Sequence, residues 1–169
     1  MAEGIRLELA IRQIEAARQY TLTLLDGLRD EDWFVPAPSG ITHIAWQVGH
    51  LAMAEYGLCL FRRRGRRPED LELMSGKFRK RFRRGSTPVS EPSAYPAPNE
   101  IRAVLDRVHR QAMAELAACC EEDLNEKIEE PYAVYDTKLG ALLFCAHHEM
   151  LHAGQIGLVR RLIGKAPVR

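Results

Sequence analysis

The chain has 169 residues, of which 46% are hydrophobic and 28% charged, and its formal net charge is +1. These values are typical of a globular protein and predict a single domain, residues 1–169, with a substantial core. The charged amino terminus has no apolar h-region, and prolines and histidines interrupt the longest uncharged stretch, 33–54. A secretory signal and a membrane span are therefore not expected, and we expect a cytoplasmic protein.

Four segments of the chain have the periodicity of amphipathic helices. The first is predicted to run from about Ile5 to Leu28, before two prolines that no helix can continue through. The second is predicted over about Thr42 to Arg63. It places seven residues on one face, namely His43, Trp46, His50, Met53, Ala54, Gly57 and Phe61.

The third segment begins after P98-N-E, with Asn99 as the predicted N-cap, and the fourth runs from about Thr137 to Gly164. Prolines and glycines divide the connection between helices 2 and 3, although 71–83 is predicted to form a short helix. No segment alternates at period two, so strands are not expected. The sequence therefore predicts an all-α fold, a four-helix bundle with a long connection between helices 2 and 3.

Two histidines of the fourth segment, His148 and His152, lie four residues apart, so a helix stacks their rings on one face. A third, His50, lies on the apolar face of the second segment. Buried polar rings require partners, and one metal ion satisfies all three. Three imidazoles without a fourth ligand predict a divalent-metal site with room for water or substrate. Imidazole binds zinc, our first expectation, but also nickel, manganese and iron.

The segment H148-E-M-L-H152 also matches the metalloprotease pattern H-E-x-x-H. In that class a third ligand follows downstream, whereas the tail after His152 contains no His, Asp, Glu or Cys. A metalloprotease is therefore not expected.

Other candidate ligands are less well placed. His43 lies two turns from His50 and is expected to cap the helix or form a hydrogen bond, whereas His109 is expected at the surface. His147 points away from the inward arc of the fourth segment. The four cysteines form no C-x-x-C and are expected to be buried apolar residues. Only Cys145 shares the histidine face and could approach the site.

The segments W46-Q-V-G-H-L-A-M-A-E55 and H148-E-M-L-H-A-G-Q-I156 resemble the two signature segments of the DinB-like superfamily. The turn L28-R-D-E-D-W33 and the Y95-P stretch extend this resemblance over almost the whole chain. It implies an up-and-down bundle of DinB/YfiT type, often dimeric, with a divalent metal held by the same three histidines. Characterised members include thiol-dependent transferases and isomerases that use low-molecular-weight thiols such as bacillithiol or mycothiol. The Arg-rich segment 62–84 departs from the family pattern and leaves the substrate open.

Three neutral imidazoles leave the charge of the ion uncompensated, and such an ion lowers the pKa of bound water or of a thiol. By resemblance to the family, the hypothesis is a metal-dependent S-transferase-like or hydrolase-like enzyme that acts on a small molecule, and the resemblance also implies a homodimer. Glu55, Glu149 and Gln155 are candidate proton shuttles or orienting groups, or else ordinary salt-bridge and hydrogen-bonding residues. The alternative is a non-catalytic scaffold in which the ion contributes to folding.

The segment 62–84 contains eleven Lys or Arg and three Asp or Glu. Its charges could pair with the acidic remainder of the surface or steer an anionic substrate. They could also bind nucleic acid, with Phe78 and Phe82 stacking on bases. No nucleic-acid-binding motif accompanies the segment, so nucleic acid is not the expected partner.

Overall fold

Helices connected by turns and loops make up the part of the chain that the computed structural model describes, residues 4–37, 42–129 and 135–168. The helices are α1 (Ile5–Leu25), α2 (Ile44–Glu55), α3 (Arg62–Arg64), α4 (Asp70–Leu73), α5 (Gly76–Phe82), α6 (Pro98–Ala117) and α7 (Lys138–Leu162). Within the described residues there is no strand, only an isolated bridge between Lys127 and Thr137. The prediction of an all-α fold is confirmed, and no described helix could span a membrane.

Two predicted helix ends are wrong. α1 ends at Leu25 instead of Leu28, because Asp26 is extended and Gly27 has a φ of 71°, a left-handed conformation suited to glycine. α6 begins earlier than predicted: its N-cap is Ala97, two residues before Asn99, and Pro98 occupies the first helical position, where a missing N–H costs nothing. Asn99 is therefore not the N-cap.

The short helix predicted over 71–83 is two helices, α4 and α5. Met74 is extended between them, and the hydroxyl of Ser75 caps α5 by accepting a hydrogen bond from the backbone of Phe78. The predicted start of α7 is confirmed, since the hydroxyl of Thr137 accepts from the backbone of Gly140 at 3.2 Å.

A turn of π-helix, Tyr56–Phe61, connects α2 to α3 without a break. Its backbone N–H groups reach one residue further back than in an α-helix, and the N–H of Arg62 bonds to the carbonyl of Gly57. The extra residue rotates the following residues by about 100°. Phe61, predicted to share a face with His50, is therefore 46% exposed.

The four long helices pack around one core. α1 lies mainly against α7 and α2 mainly against α6, and contacts between α2 and α7 join the two pairs. α5 lies on α2, where the ring of Phe82 fills the space above Gly49. This contact fixes the end of α5 beside His50.

Candidate metal centre

Three histidine side chains from two helices converge at one point of the core. His50 projects from α2, and His148 and His152 project from successive turns of α7. The ring centroids are 5.2 Å apart for His50 and His148, 5.0 Å for His50 and His152, and 4.6 Å for the pair on α7. One ring nitrogen from each lies within 4.8 Å of those of the other two. The structure thus brings together the three residues that the sequence singled out, in a cluster compatible with a metal site.

Hydrogen bonds determine the tautomers of two of these rings. The Nδ1–H of His50 donates to the backbone carbonyl of Phe82 at 2.7 Å, and the Nδ1–H of His152 donates to the side-chain oxygen of Gln47. Each proton held at Nδ1 leaves the Nε2 lone pair of the same ring as the donor for a cation. Two of the three rings are therefore oriented as metal ligands commonly are.

Gln47 is a buried residue that connects the two helices. Its oxygen accepts from His152, while its NH₂ group donates to the side-chain oxygen of Gln155 at 2.6 Å and to the carbonyl of Thr42 at 3.5 Å. These donor bonds fix the orientation of the amide, so that its oxygen faces the histidine. Gln47 lies about one turn before His50 on α2, but its amide has no sequence signal that predicts this role.

Aromatic contacts limit the movement of the rings. The indole of Trp46 stacks on His50 with centroids 4.7 Å apart and planes 8° from parallel, and its N–H donates to the hydroxyl of Ser86 at 3.0 Å. The ring of Phe144 lies 5.7 Å from that of His148. Packing and hydrogen bonds together hold the cluster in place.

Burial keeps the histidines neutral. It lowers the pKa of His148 to about 4, with a smaller contribution from His50. It lowers the pKa of His152 to about 3, with further contributions from His148 and His50. Burial also lowers the pKa of His50, although the bond to Phe82 opposes this shift. At neutral pH all three rings are therefore in the form that binds a metal.

A metal ion bound by all three rings would require a particular distance between their nitrogen atoms. Metal–nitrogen bonds of about 2.0–2.1 Å in a tetrahedral site imply nitrogens about 3.3 Å apart. The observed upper limit of 4.8 Å requires a closure of at most about 1.5 Å. Small ring rotations supply such a movement, so the residues present fit a divalent ion.

The candidate carboxylates lie in a different cluster. Arg18 of α1 is 1% exposed and donates to Glu149 at 2.8 and 3.1 Å and to Glu55 at 2.8 Å. Burial alone would raise the pKa of Glu55, but Arg18 and then His109 outweigh it and hold this pKa below its ordinary value. Burial likewise opposes protonation of Arg18, yet the two carboxylates raise its pKa. These residues form one buried ionic cluster, which joins α1, α2, α6 and α7.

Two histidines outside the cluster have other roles. His43 is the N-cap of α2, as predicted: its Nδ1 accepts from the backbone of Trp46 at 3.2 Å, and its Nε2–H donates to the carbonyl of Val89 at 3.0 Å. The surface role predicted for His109 is wrong, since its Nδ1 lies 2.7 Å from a carboxylate oxygen of Glu55 and only 16% of its side chain is exposed. The sequence alone did not indicate this pairing.

The cysteines divide into two pairs. Cys59 and Cys145 are buried, as predicted, whereas Cys120 is exposed and Cys119 partly exposed. The pKa of the Cys145 thiol is raised well above its ordinary value, mainly by a hydrogen bond to Cys59 and secondly by burial. A protonated thiol is a poor metal ligand, and Cys145 does not belong to the histidine cluster.

The structure pairs part of the Arg-rich segment with acidic residues. Arg63 and Arg64 both bind Glu115, and Arg64 also binds Asp70 at 2.7 Å. The suggestion that Phe78 and Phe82 stack on bases is wrong, because both rings are buried, at 6% and 0% exposure.

The histidine cluster lies within the residues that match a known family. The family model described as the DinB superfamily matches residues 13–156, which include all three histidines and most of the chain. None of the curated proteins matches the chain.

Proposed function

Because the chain belongs to the DinB superfamily, we propose that it is a divalent-metal-dependent enzyme with His50, His148 and His152 as its ligands. The observation that carries the proposal is the convergence of three neutral imidazoles, two of them oriented by hydrogen bonds at Nδ1. Zinc is the first candidate, with nickel, manganese and iron as alternatives that imidazole also binds.

A divalent ion held by three neutral ligands supplies Lewis acidity, which lowers the pKa of water or of a low-molecular-weight thiol. The reaction class that we propose is therefore S-transferase-like or hydrolase-like. The chain contributes orientation: Phe82 and Gln47 hold the Nδ1 protons, and Gln155 orients the amide of Gln47. These are positioning residues.

The engagement of Glu55 and Glu149 with Arg18 supports a structural role for these two carboxylates. Both accept charge-assisted hydrogen bonds in a buried environment, and breaking those bonds during turnover would leave an unpaired charge. We therefore do not assign the proton transfer to either glutamate.

The packing of the four long helices supports the finer proposal of an up-and-down bundle, with 65–97 as the long connection between its second and third helices. We also propose a single domain and a homodimer. The exposure of Met150, Leu151 and Leu162 on α7, at 46%, 64% and 54%, supports a second copy at this face. Sedimentation of the native protein and of a Leu151→Glu variant tests the dimer, which the variant should weaken.

Elemental analysis tests the metal site. We expect about one divalent ion per chain in the purified protein, and a large loss of metal in His50→Ala and His152→Ala. His147→Ala is the matched control, because His147 is exposed on the same helix. Metal content that stays the same in both ligand variants would contradict the assignment.

Catalysis requires a separate experiment, since a metal-stabilised scaffold would give the same metal content. The metal-loaded protein is screened with low-molecular-weight thiols against electrophiles. Thiol-dependent turnover that is lost in His152→Ala supports the enzyme. Absence of turnover, together with a large loss of stability on metal removal, supports the scaffold instead.

A further inference from the structure

Two cavities lie near α5. The smaller, of about 240 Å³, has His50 and Arg62 in its wall. The larger, of about 600 Å³, lies between α5 and the start of α6, and no histidine lines it. Cavities that bind small molecules commonly have volumes of about 300–1,000 Å³. The larger cavity therefore has the size of a ligand site that is separate from the metal centre.

Three segments form the walls of the larger cavity, which we name the α5–α6 cavity. Lys77 and Arg81 lie four residues apart on one face of α5, and residues 93–96 form a second wall. The lining residues of α6 follow the spacing of a single helical stripe, namely Glu100, Ala103, Val104 and Arg107.

The inner surface of this cavity is apolar. Phe78, Tyr95 and Val104 line it and are only 6%, 9% and 8% exposed. The hydroxyl of Tyr95 accepts a hydrogen bond from the backbone of Val89 at 2.9 Å, which holds the ring in place. Fixed aromatic and aliphatic side chains suit the hydrocarbon body of a ligand.

The rim of the cavity is cationic. Lys77, Arg81 and Arg107 line it, and Glu100 is the only acidic residue among the described lining residues. Within the described part of the chain, the side chains of the three cations form no ion pair and donate no hydrogen bond. The guanidinium of Arg81 lies 5.3 Å from the centroid of the Tyr95 ring, a cation–π contact that does not neutralise its charge. Positive charge therefore remains in excess beside the apolar surface.

An apolar interior with a cationic rim selects an anion that carries a hydrocarbon body. The forked N–H groups of a guanidinium match the two oxygens of a carboxylate, and the ammonium of a lysine adds a point charge. We propose that the α5–α6 cavity binds a small carboxylate with an apolar body of about the size of a fused ring. This site requires neither the metal ion nor the three histidines.

Fluorescence titration of the purified protein tests the inference without any assay of turnover. The two probes are 2-naphthoate and 2-naphthalenemethanol, which share the ring system and differ in the carboxylate. We expect 2-naphthoate to bind about tenfold more tightly, with a difference that decreases as salt is added. Equal affinity for the two probes, or no binding of 2-naphthoate, would overturn the inference.

The variant Lys77→Gln/Arg107→Gln should lose most of this preference and leave the affinity for the alcohol unchanged. Arg102→Gln/Arg110→Gln is the matched control, because it removes the same charge from positions on α6 that do not line the cavity. A preference that persists in the cavity variant, or that falls equally in the control, would contradict the assignment of the rim.

Ala103→Trp tests the location of the site. Ala103 is exposed, so the fold tolerates the larger side chain, whose ring should occupy the cavity and weaken the binding of both probes about tenfold or more. Ala114→Trp is the control, since Ala114 is exposed on the same helix and does not line the cavity. Equal binding of the probes by the two tryptophan variants would exclude this cavity.

His152→Ala separates the inference from the proposed metal chemistry. This variant should bind 2-naphthoate with the affinity of the native protein, whatever its metal content. Loss of binding in His152→Ala would place the carboxylate at the metal centre and overturn the inference. Unchanged binding supports the α5–α6 cavity even if the proposed metal-dependent reaction fails.

Discussion

Replacing Gly49 with alanine tests whether the contact between α5 and α2 holds the metal centre in shape. A Cβ at this position would overlap Cδ1 and Cε1 of Phe82 and lie 2.6 Å from its Cγ, whereas carbon atoms in contact are about 3.5–4.0 Å apart. The ring is 0% exposed and packs against Phe78 at 4.4 Å, so it cannot turn aside freely. The end of α5 must therefore move by about 1 Å.

Two energies of opposite sign act on this variant. Alanine stabilises a helix by about 1 kcal/mol relative to glycine, and overpacking a core costs about 1–3 kcal/mol. The net effect is a destabilisation of up to about 2 kcal/mol. The larger effect concerns the metal, because displacing the carbonyl of Phe82 from His50 removes an orienting bond, a change that typically weakens metal binding by about 10–100-fold.

Competition with a chromogenic chelator measures the metal affinity, and urea unfolding of the metal-free protein measures the stability. Gly154→Ala is the matched control, because a Cβ on Gly154 in α7 would meet nothing within 4 Å. We expect the control to be more stable by about 0.5–1 kcal/mol and to bind metal normally. If Gly49→Ala behaves like this control, the proposed link from α5 to His50 is refuted.

Arg18→Met should destabilise the protein by about 3–5 kcal/mol in urea unfolding, because it leaves two buried carboxylates without their counter-charge. Gln47→Leu should weaken metal binding about 10–100-fold in the chelator assay, and Gln155→Leu should have a smaller effect, since Gln155 acts only through Gln47. Hydrogen bonding to Arg64 lowers the pKa of Asp70 to about 2, so this carboxylate stabilises the fold above pH ~4 and loses its contribution as the pH falls towards 2. Urea unfolding of Asp70→Asn should show an acid dependence that is shallower by about 2 kcal/mol.

Each of these expectations has a contrary outcome. A stable Arg18→Met would contradict the view that the two glutamates need the guanidinium as their counter-charge. Metal binding that is weakened as strongly by Gln155→Leu as by Gln47→Leu would place Gln155 at the site itself. An acid dependence of Asp70→Asn equal to that of the native protein would mean that Asp70 is not stabilised by its partners.

The clustering of the three histidines could be predicted because their positions in the sequence determine where they lie on their helices. His148 and His152 are four apart, which fixes their relative position on any helix, and His50 is a polar ring on an otherwise apolar face. The hydrogen bond from His50 to Phe82 could not be predicted, because its acceptor is a backbone carbonyl 32 residues away. Every residue has such a carbonyl, so the side chains in the sequence do not indicate which one His50 contacts. The orientation of the centre thus depends on tertiary packing.

The predicted helix ends are correct where several local sequence signals agree, and wrong where one residue determines the end of the helix. Thr137 caps α7 as its side chain suggests, whereas Asn99 yields to Pro98, whose fixed φ suits the first helical position. The prediction that Phe61 shares a face with His50 is wrong, because it assumes a rotation of about 100° per residue throughout the second helix; in the structure Phe61 is exposed. A π turn breaks that assumption without any proline or glycine signal that marks it uniquely.

The π turn also makes the orientation of the following residues depend on the exact number of residues in Tyr56–Phe61. Deleting one residue from Tyr56–Phe61 would restore regular α-helix and turn everything beyond it by about 100° relative to His50. The guanidinium groups of Arg63 and Arg64 would then leave Glu115, and Arg62 would leave the cavity beside His50. One codon lost here would remodel the surroundings of His50 without changing any of the three histidines in the sequence.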